Sequence, residues 1–295
     1  MDTPHMKIDP ESYREFFAGR TLVLGTKHKK EDVIAPILER ELGVRVVVPD
    51  NFDTDQFGTF TREIARTGNQ LEAARRKAAA AMELLGADLS LASEGSFGPH
   101  PDIPFIPSNL ELVLLVDRKH GFEIRGHHRS EEANAASASV SSVAEARQFA
   151  EKIGFPGQGL VVRRDEHRNQ DIFKDISSYE ELEEKVSYLL SKFLVHKVYL
   201  ETDLRAHANP LRMKNIGLAA EDLIKNIKST CPECATPGFV IVDTVRGLPC
   251  QLCGQETDLA LAVIRECQKC GSRRRDPHPE AKTSADPVMC GYCNP

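Results

Sequence analysis

Eight cysteines in four Cys-x-x-Cys pairs are the residues of this chain best spaced for chemistry: Cys231/Cys234, Cys250/Cys253, Cys267/Cys270 and Cys290/Cys293. Thiolates two residues apart reach one ion from a single tight turn. Two such pairs complete the tetrahedral four-sulfur shell of a closed structural zinc site. Eight thiols fill two shells with none left over, so the tail is expected to bind two Zn2+ ions. Disulfides suit small secreted scaffolds, whereas here all eight thiols lie beyond residue 230 of a long chain. A thioredoxin-like pair belongs at a strand-to-helix junction, and four pairs in series do not fit that. An iron–sulfur cluster would use the same ligands, but the count favours two zinc tetrathiolate units.

The run Phe239–Val245 is rich in β-formers and is followed by Arg246-Gly247. A hairpin there would return Cys250 and Cys253 beside the first pair, as in a zinc ribbon. Sequential pairing is therefore the favoured expectation, with a looser second site among Pro277, Pro279 and Pro287. The alternative is an interleaved cross-brace, with Leu259–Ile264 a strand carrying the third pair back to the first. Residues 231–295 hold seven Lys and Arg against eight Asp and Glu, and each zinc tetrathiolate unit adds negative charge. Affinity for a phosphate backbone needs clustered cations. Arg273–Arg275 is the one cluster and reads as a solvated loop. A structural module or a protein-contact surface is expected here, not a nucleic-acid reader.

Three polar stretches upstream each follow an inferred strand, the position where open α/β sheets bind ligands. Thr26-Lys27-His28-Lys29-Lys30 puts a hydroxyl and cations at a helix N-terminus, a natural anion site. Ser93–Pro101 crowds Glu94, two serines and His100 among glycines; Glu94 is a candidate Mg2+ ligand or general base and His100 a candidate proton carrier. Glu201–Arg212 offers Arg205 and Arg212 as phosphate clamps, with Glu201, Asp203 and His207 suited to metal or acid–base roles. Asp53, Asp55, Thr59 and Glu63 of an earlier loop are expected to join the same pocket. The adjacent His127 and His128 read as surface residues.

The elements that must hold these loops are legible in the hydrophobic spacing. Thr21–Thr26 reads as a buried strand, Glu31–Leu42 as a helix ended by Gly43, and Val44–Val48 as a second strand, a βαβ opening. An Ala-rich helix carrying Lys77 is expected from about Asn69 to Leu85, then a strand over Asp88–Ala92. Leu112–Asp117 and Phe122–Gly126 look like a hairpin. Ser130–Ala146 reads as a soft strand and helix, or as a loop. Strands follow at Leu160–Arg163 and Lys197–Leu200, with helices at Tyr179–Phe193 and Leu211–Lys228.

The chain has 295 residues, 41% hydrophobic and 28% charged, with net charge −6. That suits a soluble cytoplasmic protein, and no apolar stretch approaches a membrane span. The expected fold is α/β: a three-layer or mixed-sheet domain over residues 1–228, then a small double zinc-ribbon-like module over 229–295 with four cysteines to each of two zinc ions.

Asp53-Thr-Asp-x-Phe-Gly-Thr-Phe60, Ala92-Ser-Glu-Gly-Ser-Phe-Gly-Pro-His-Pro101, Asp203-Leu-Arg-Ala-His-Ala-Asn-Pro210 and the closing Cys290-Gly-Tyr-Cys-Asn-Pro295 together resemble a bacterial family catalogued as a domain of unknown function. That resemblance implies no activity. A weaker one is to inosine/xanthosine triphosphate pyrophosphatases, through Thr26-x-x-x-Lys30, Ala73–Ala78 and Glu94-Gly95. It implies that Lys30 and Arg212 bind nucleotide and that Glu94 helps hold Mg2+; the family's first-loop Asn is absent, with His28 nearby. The leading expectation is a Mg2+-dependent hydrolase of a nucleotide or other phosphorylated small molecule. Lys27, Lys30, Arg205 and Arg212 would hold phosphate, and Glu94 with Asp53 or Asp55 would hold metal and orient water. The alternative is a non-enzymatic ligand sensor or adaptor whose zinc tail contacts a protein.

Overall fold

The computed structural model describes residues 11–50, 52, 68–166, 171–193 and 195–295. Asp53, Asp55, Thr59 and Glu63 lie outside them. The chain divides into two compact units, one holding residues 19–119 and 125–223, the other 11–18, 120–124 and 224–295.

The first unit opens with β1 (Thr21–Gly25), α1 (Glu31–Leu42) and β2 (Arg45–Val47), β1 and β2 being parallel. Gly43 closes α1 in the left-handed region, φ 67°, the conformation a helix terminus asks of glycine. The helix α2 (Gln70–Leu85) starts on a capping box, with the Asn69 side chain accepting from Glu72 N and the Glu72 carboxylate accepting from Asn69 N. It leads to β3 (Leu89–Pro99), β4 (Pro107–Asp117) and β5 (Phe122–Ser130), giving the sheet order β2-β1-β3-β4-β5. β1 runs parallel to both of its neighbours, whereas β3 and β4 are antiparallel. The connections from β1 and β2 therefore leave in opposite directions, and the carboxyl ends of β1 and β3 are where a sheet of this kind places its ligand crevice.

β3 is longer than its apolar core predicts. The expected polar loop at Ser93–Pro101 is instead strand up to Pro99, in unbroken register with β4 from Leu89↔Asp117 to Pro99↔Pro107. Its glycines do not make a turn. A Cβ on Gly95 would lie 2.4 Å from a terminal nitrogen of Arg212 and 2.6 Å from Glu111 Oε1, so Gly95 opens space over the strand for two charged side chains.

The two faces of this sheet take different helices. Ala74 and Ala78 of α2 pack on Ala92, Leu112 and Leu114. Gly25 lets this helix approach, since a Cβ there would meet Lys77 O and Ala81 Cβ at 3.2 Å. On the other face lies α5 (Pro210–Lys228), so close to β5 that a Cβ on Gly126 would fall 2.2 Å from Leu223 N.

The soft stretch after β5 resolves into β6 (Ser137–Val140) and α3 (Val143–Ile153), followed by β7 (Leu160–Arg163), β8 (Ile172–Phe173), α4 (Tyr179–Lys192) and β9 (Val198–Thr202). Their sheet has the order β6-β9-β7-β8, every neighbouring pair antiparallel. Phe149, Ile153, Leu182, Val186 and Leu189 of the two helices bury against Leu160, Val162, Val198 and Leu200.

The second unit contains a three-stranded sheet, β10 (Val240–Arg246), β11 (Ala260–Glu266) and β12 (Arg273–Pro277). β12 corrects the reading of Arg273–Arg275 as a loop. These arginines alternate along a strand whose acidic neighbours hold them, Arg273 on Glu266 and Arg274 on Asp276. The hairpin tip at residues 120–124 belongs to this unit too. Gln268 donates to Glu123 O at 2.6 Å and accepts from Glu123 N at 3.2 Å, and Lys269 donates to His120 O. No helix among the described residues is long and apolar enough to cross a membrane.

Candidate anion site and four-cysteine metal centres

Three chain segments meet at the carboxyl ends of β1 and β3. The β1–α1 loop holds His28 and Lys29 at φ 70° and 57°, left-handed conformations that cost L-residues about 1–2 kcal/mol each. They turn the chain so that Lys30 enters the interior, where it is only 6% exposed. Its Nζ donates to Ser93 Oγ at 3.0 Å and to Ser93 O at 3.4 Å. Burial, and then the neighbouring charges of Arg212 and Lys77, push its pKa down to about 7 although Glu94 and Glu111 oppose the shift.

Two buried ion pairs flank Lys30. Glu94 on β3 pairs with Lys77 of α2. Glu111 on β4, fully buried, accepts from Arg212 Nε at 2.8 Å and from Asn109 Nδ2 at 2.9 Å. Asn109 in turn accepts from Asn215 Nδ2 at 2.9 Å. Arg212 sits in the first turn of α5, whose start Asn209 caps by accepting from Arg212 N. Among the described residues the inner cluster thus contains Lys30, Lys77 and Arg212 against Glu94 and Glu111, one cation in excess. A buried charge without a counter-charge is costly. The amine of Lys30 carries that cost.

The loop after β9 closes over this group. Gln158, buried, spreads its amide over the carbonyls of Asp203 and Ala208 and so ties the loop down. Arg205 lies between Asp203 and Asp175, with Nη2–carboxylate distances of 2.6 and 2.7 Å. Burial opposes its charge, but these bonds overcome that and hold its pKa above the ordinary guanidinium value. His207 Nε2 sits 3.1 Å from Asp175 Oδ1, and its ring stacks on His28 at 4.9 Å between centroids. Burial, then His207 and Lys30, push His28 down to about 3, so it is neutral at ordinary pH.

The expected site residues separate accordingly. Lys30, Glu94 and Arg212 come together at the crevice, and Arg205 stands at the loop beside it. Lys27 is exposed on the β1–α1 loop. His100 lies beyond the end of β3, where its Nδ1 accepts from Asp102 N. Six extended residues separate it from Glu94, about 20 Å, so it is no proton carrier for that carboxylate. Glu201 is drawn instead to the buried Arg163. Arg205 and Arg212 do not stand as open phosphate clamps, because carboxylates already hold both. Glu94 is likewise engaged by Lys77, and among the described residues no trio of His, Cys, Asp or Glu converges here as a Mg2+ site would need. Glu111, Asn109 and Asn215 are the partners the sequence reading missed. The signal was present: Glu111 interrupts an apolar strand, and Asn109 is two residues away on the same face.

The cysteines form two groups: Cys231, Cys234, Cys267 and Cys270; and Cys250, Cys253, Cys290 and Cys293. This is the interleaved cross-brace, and it overturns the sequential pairing. The reason is the β10–β11 ladder, which sets Val240 opposite Glu266 and thereby brings the turn before β10 beside the turn after β11. The second pair lies at the far end of β10, about 23 Å along a seven-residue strand. It meets the fourth pair, which follows β12. Within each group, Sγ distances between the two pairs are 3.6 Å for Cys231–Cys270 and Cys234–Cys267, and 3.9 and 3.7 Å for Cys250–Cys293 and Cys253–Cys290. A tetrahedron with metal–sulfur bonds of about 2.3 Å has edges of about 3.8 Å, so the thiols fit an ion of zinc's size. Each turn is also wired alike: the NH after each of the four pairs, from Ala235, Gly254, Gly271 and Asn294, returns to the carbonyl of its first cysteine. Ala235, Gly254 and Gly271 adopt positive φ. Both groups could therefore hold a metal ion.

A comparison with curated proteins gave no match. Residues 77–295, from Lys77 within α2 onward and so including both buried ion pairs and both four-cysteine groups, match the model of a domain of unknown function, DUF6671, and the chain belongs to that family.

Proposed function

We propose that this protein binds a small phosphorylated ligand at the crevice between β1 and β3, and that both four-cysteine groups hold structural zinc. The observation that carries the reading is Lys30. It is a buried amine hydrogen-bonded to a hydroxyl and a carbonyl, in a cluster whose two carboxylates are already claimed by Lys77 and Arg212. An arriving phosphate would supply the missing negative charge, and the α1 N-terminus adds a favourable field. Hydrolysis is the finer form of the proposal, with water activation left to groups near Glu94. The pairing of Glu94 with Lys77 favours the second form, in which the ligand is sensed and not turned over.

Calorimetry with pyrophosphate and nucleoside triphosphates, with and without Mg2+, tests both. Binding that disappears in Lys30→Met supports the site; unchanged binding removes it. Phosphate or pyrophosphate release that stops in Glu94→Gln makes it a hydrolase, whereas binding without release makes it a sensor.

A further inference from the structure

On the α2 face of the main sheet a second, open groove of about 440 Å³ lies beside the β4–β5 hairpin. Its lining comprises Arg125, His127 and Arg129 of β5, Leu110 and Leu112 of β4, and the start of α2 at Asn69–Leu71. Residues two apart on a strand share a face, so the three basic side chains form a row with spacings of about 6.8 Å. The leucines provide an apolar floor, and among the described residues no carboxylate lines the groove. An acidic neighbour of the row is Asp222, whose Oδ2 lies 3.7 Å from His127 Nδ1; Arg129 also donates to Ser108 Oγ at 3.2 Å. Asn69 and Glu72 use each other's backbone NH groups in the capping box, so the groove's pull on anions comes from the arginines and not from the helix end.

Edge pairing does not explain this row. β5 is the edge of its sheet, yet its outward NH at His127 is taken by Asp222 and that at Glu123 by Gln268. Such caps block addition of a further strand. What is left is a face with cations along one wall and apolar side chains below, within the size range of small-molecule sites.

We propose that this groove is a second binding site, separate from the Lys30 crevice, for an amphiphilic anion: a phosphate or carboxylate head on an alkyl or aryl body. The head lies between the Arg125 and Arg129 guanidiniums, and the body covers Leu71, Leu110 and Leu112. Planar guanidinium forks suit both oxyanions.

Octyl phosphate, kept below its micelle concentration, is the probe, titrated by calorimetry into the full zinc-loaded chain carrying Lys30→Met, which removes the crevice as a phosphate site. Ethyl phosphate serves as the short-chain control, and vesicles of phosphatidylglycerol are offered in a sedimentation arm. The expected result is saturable binding of octyl phosphate, weaker for ethyl phosphate. Affinity should fall about tenfold in Arg125→Gln and again in Arg129→Gln, the worth of one charged hydrogen bond each. With the crevice disabled in the Lys30→Met background, uptake of octyl phosphate reports the groove alone. Equal binding of the two phosphates, insensitivity to the arginine variants, or sedimentation with vesicles without uptake of free octyl phosphate would each overturn the proposal. Circular dichroism of the variants excludes loss of fold as the cause.

Discussion

Lys30 shows how one side chain can oppose the fold while equipping the proposed site. Below about pH 7 it is charged in both the folded and the unfolded chain, and the folded state bears the full cost of burying it. Above that pH the folded amine is neutral, while the unfolded one stays protonated up to its ordinary value near 10.5. The unfolded state then binds more protons, so stability rises with pH through this window. Replacing Lys30 by Met should therefore raise stability near pH 6 and give a smaller gain near pH 9, read from urea midpoints at the two pH values; a difference that does not shrink with pH contradicts the assignment. Affinity for a phosphate at the crevice should decline across the same window, because the neutral amine has no charge to offer. The opposite behaviour is expected at Glu111→Gln, which strands the Arg212 guanidinium in the interior. A loss of about 3–5 kcal/mol in unfolding free energy follows from removing one member of a buried pair, and a loss below about 1 kcal/mol would mean that Arg212 finds another partner.

At the scale of elements, the site depends on how closely helices approach the sheet. Gly126 allows α5 to lie against β5, and Gly95 leaves room for the Arg212–Glu111 pair above β3. In Gly126→Ala the new methyl meets helix backbone, which cannot rotate away as a side chain can. Destabilisation of about 1–3 kcal/mol or more is expected, measured by chemical denaturation. In Gly95→Ala the nearest atoms are side-chain ends, so the same measurement should show a smaller loss, accompanied by weaker ligand binding as Arg212 is displaced. Capping matters as well. Asn209→Ala removes the acceptor for Arg212 N at the start of α5 and should cost about 1 kcal/mol.

For the whole molecule the proposed metal ions of the four-cysteine groups are expected to decide whether the second unit holds together. Its apolar interior around the first group is small, chiefly Phe239 with Cys231 and Cys267, and that unit also gathers residues 11–18 and the hairpin tip at 120–124. Metal analysis should give two zinc ions per chain. Chelation should expose residues 229–295 to protease, since thiolate–metal bonds supply folding free energy that a core this small does not. The cross-brace makes a sharper prediction. Cys270→Ser should loosen the ion shared with Cys231 and Cys234 while the ion at Cys250, Cys253, Cys290 and Cys293 stays bound; release of a metal held by Cys290 and Cys293 instead would restore the sequential pairing.

What the sequence determined by itself was local. The Cys-x-x-Cys spacing defined four turns suited to metal, and the period of apolar residues located β1, α1, α2, α4 and α5 within a residue or two, because turn chemistry and helix periodicity act over a few residues. The Thr26–Lys30 loop was also legible, since strand, cations and helix start follow one another directly. Tertiary structure decided the rest. Only the β10–β11 register could select which cysteine pairs share an ion, and only the β3–β4 register could turn Ser93–Pro99 from an apparent loop into strand. The partners of Arg212 and Lys30 lie 101 and 63 positions away in the chain. Which charges cancel and which one is left over in a buried cluster is therefore a property of strand register and helix approach, not of any local pattern.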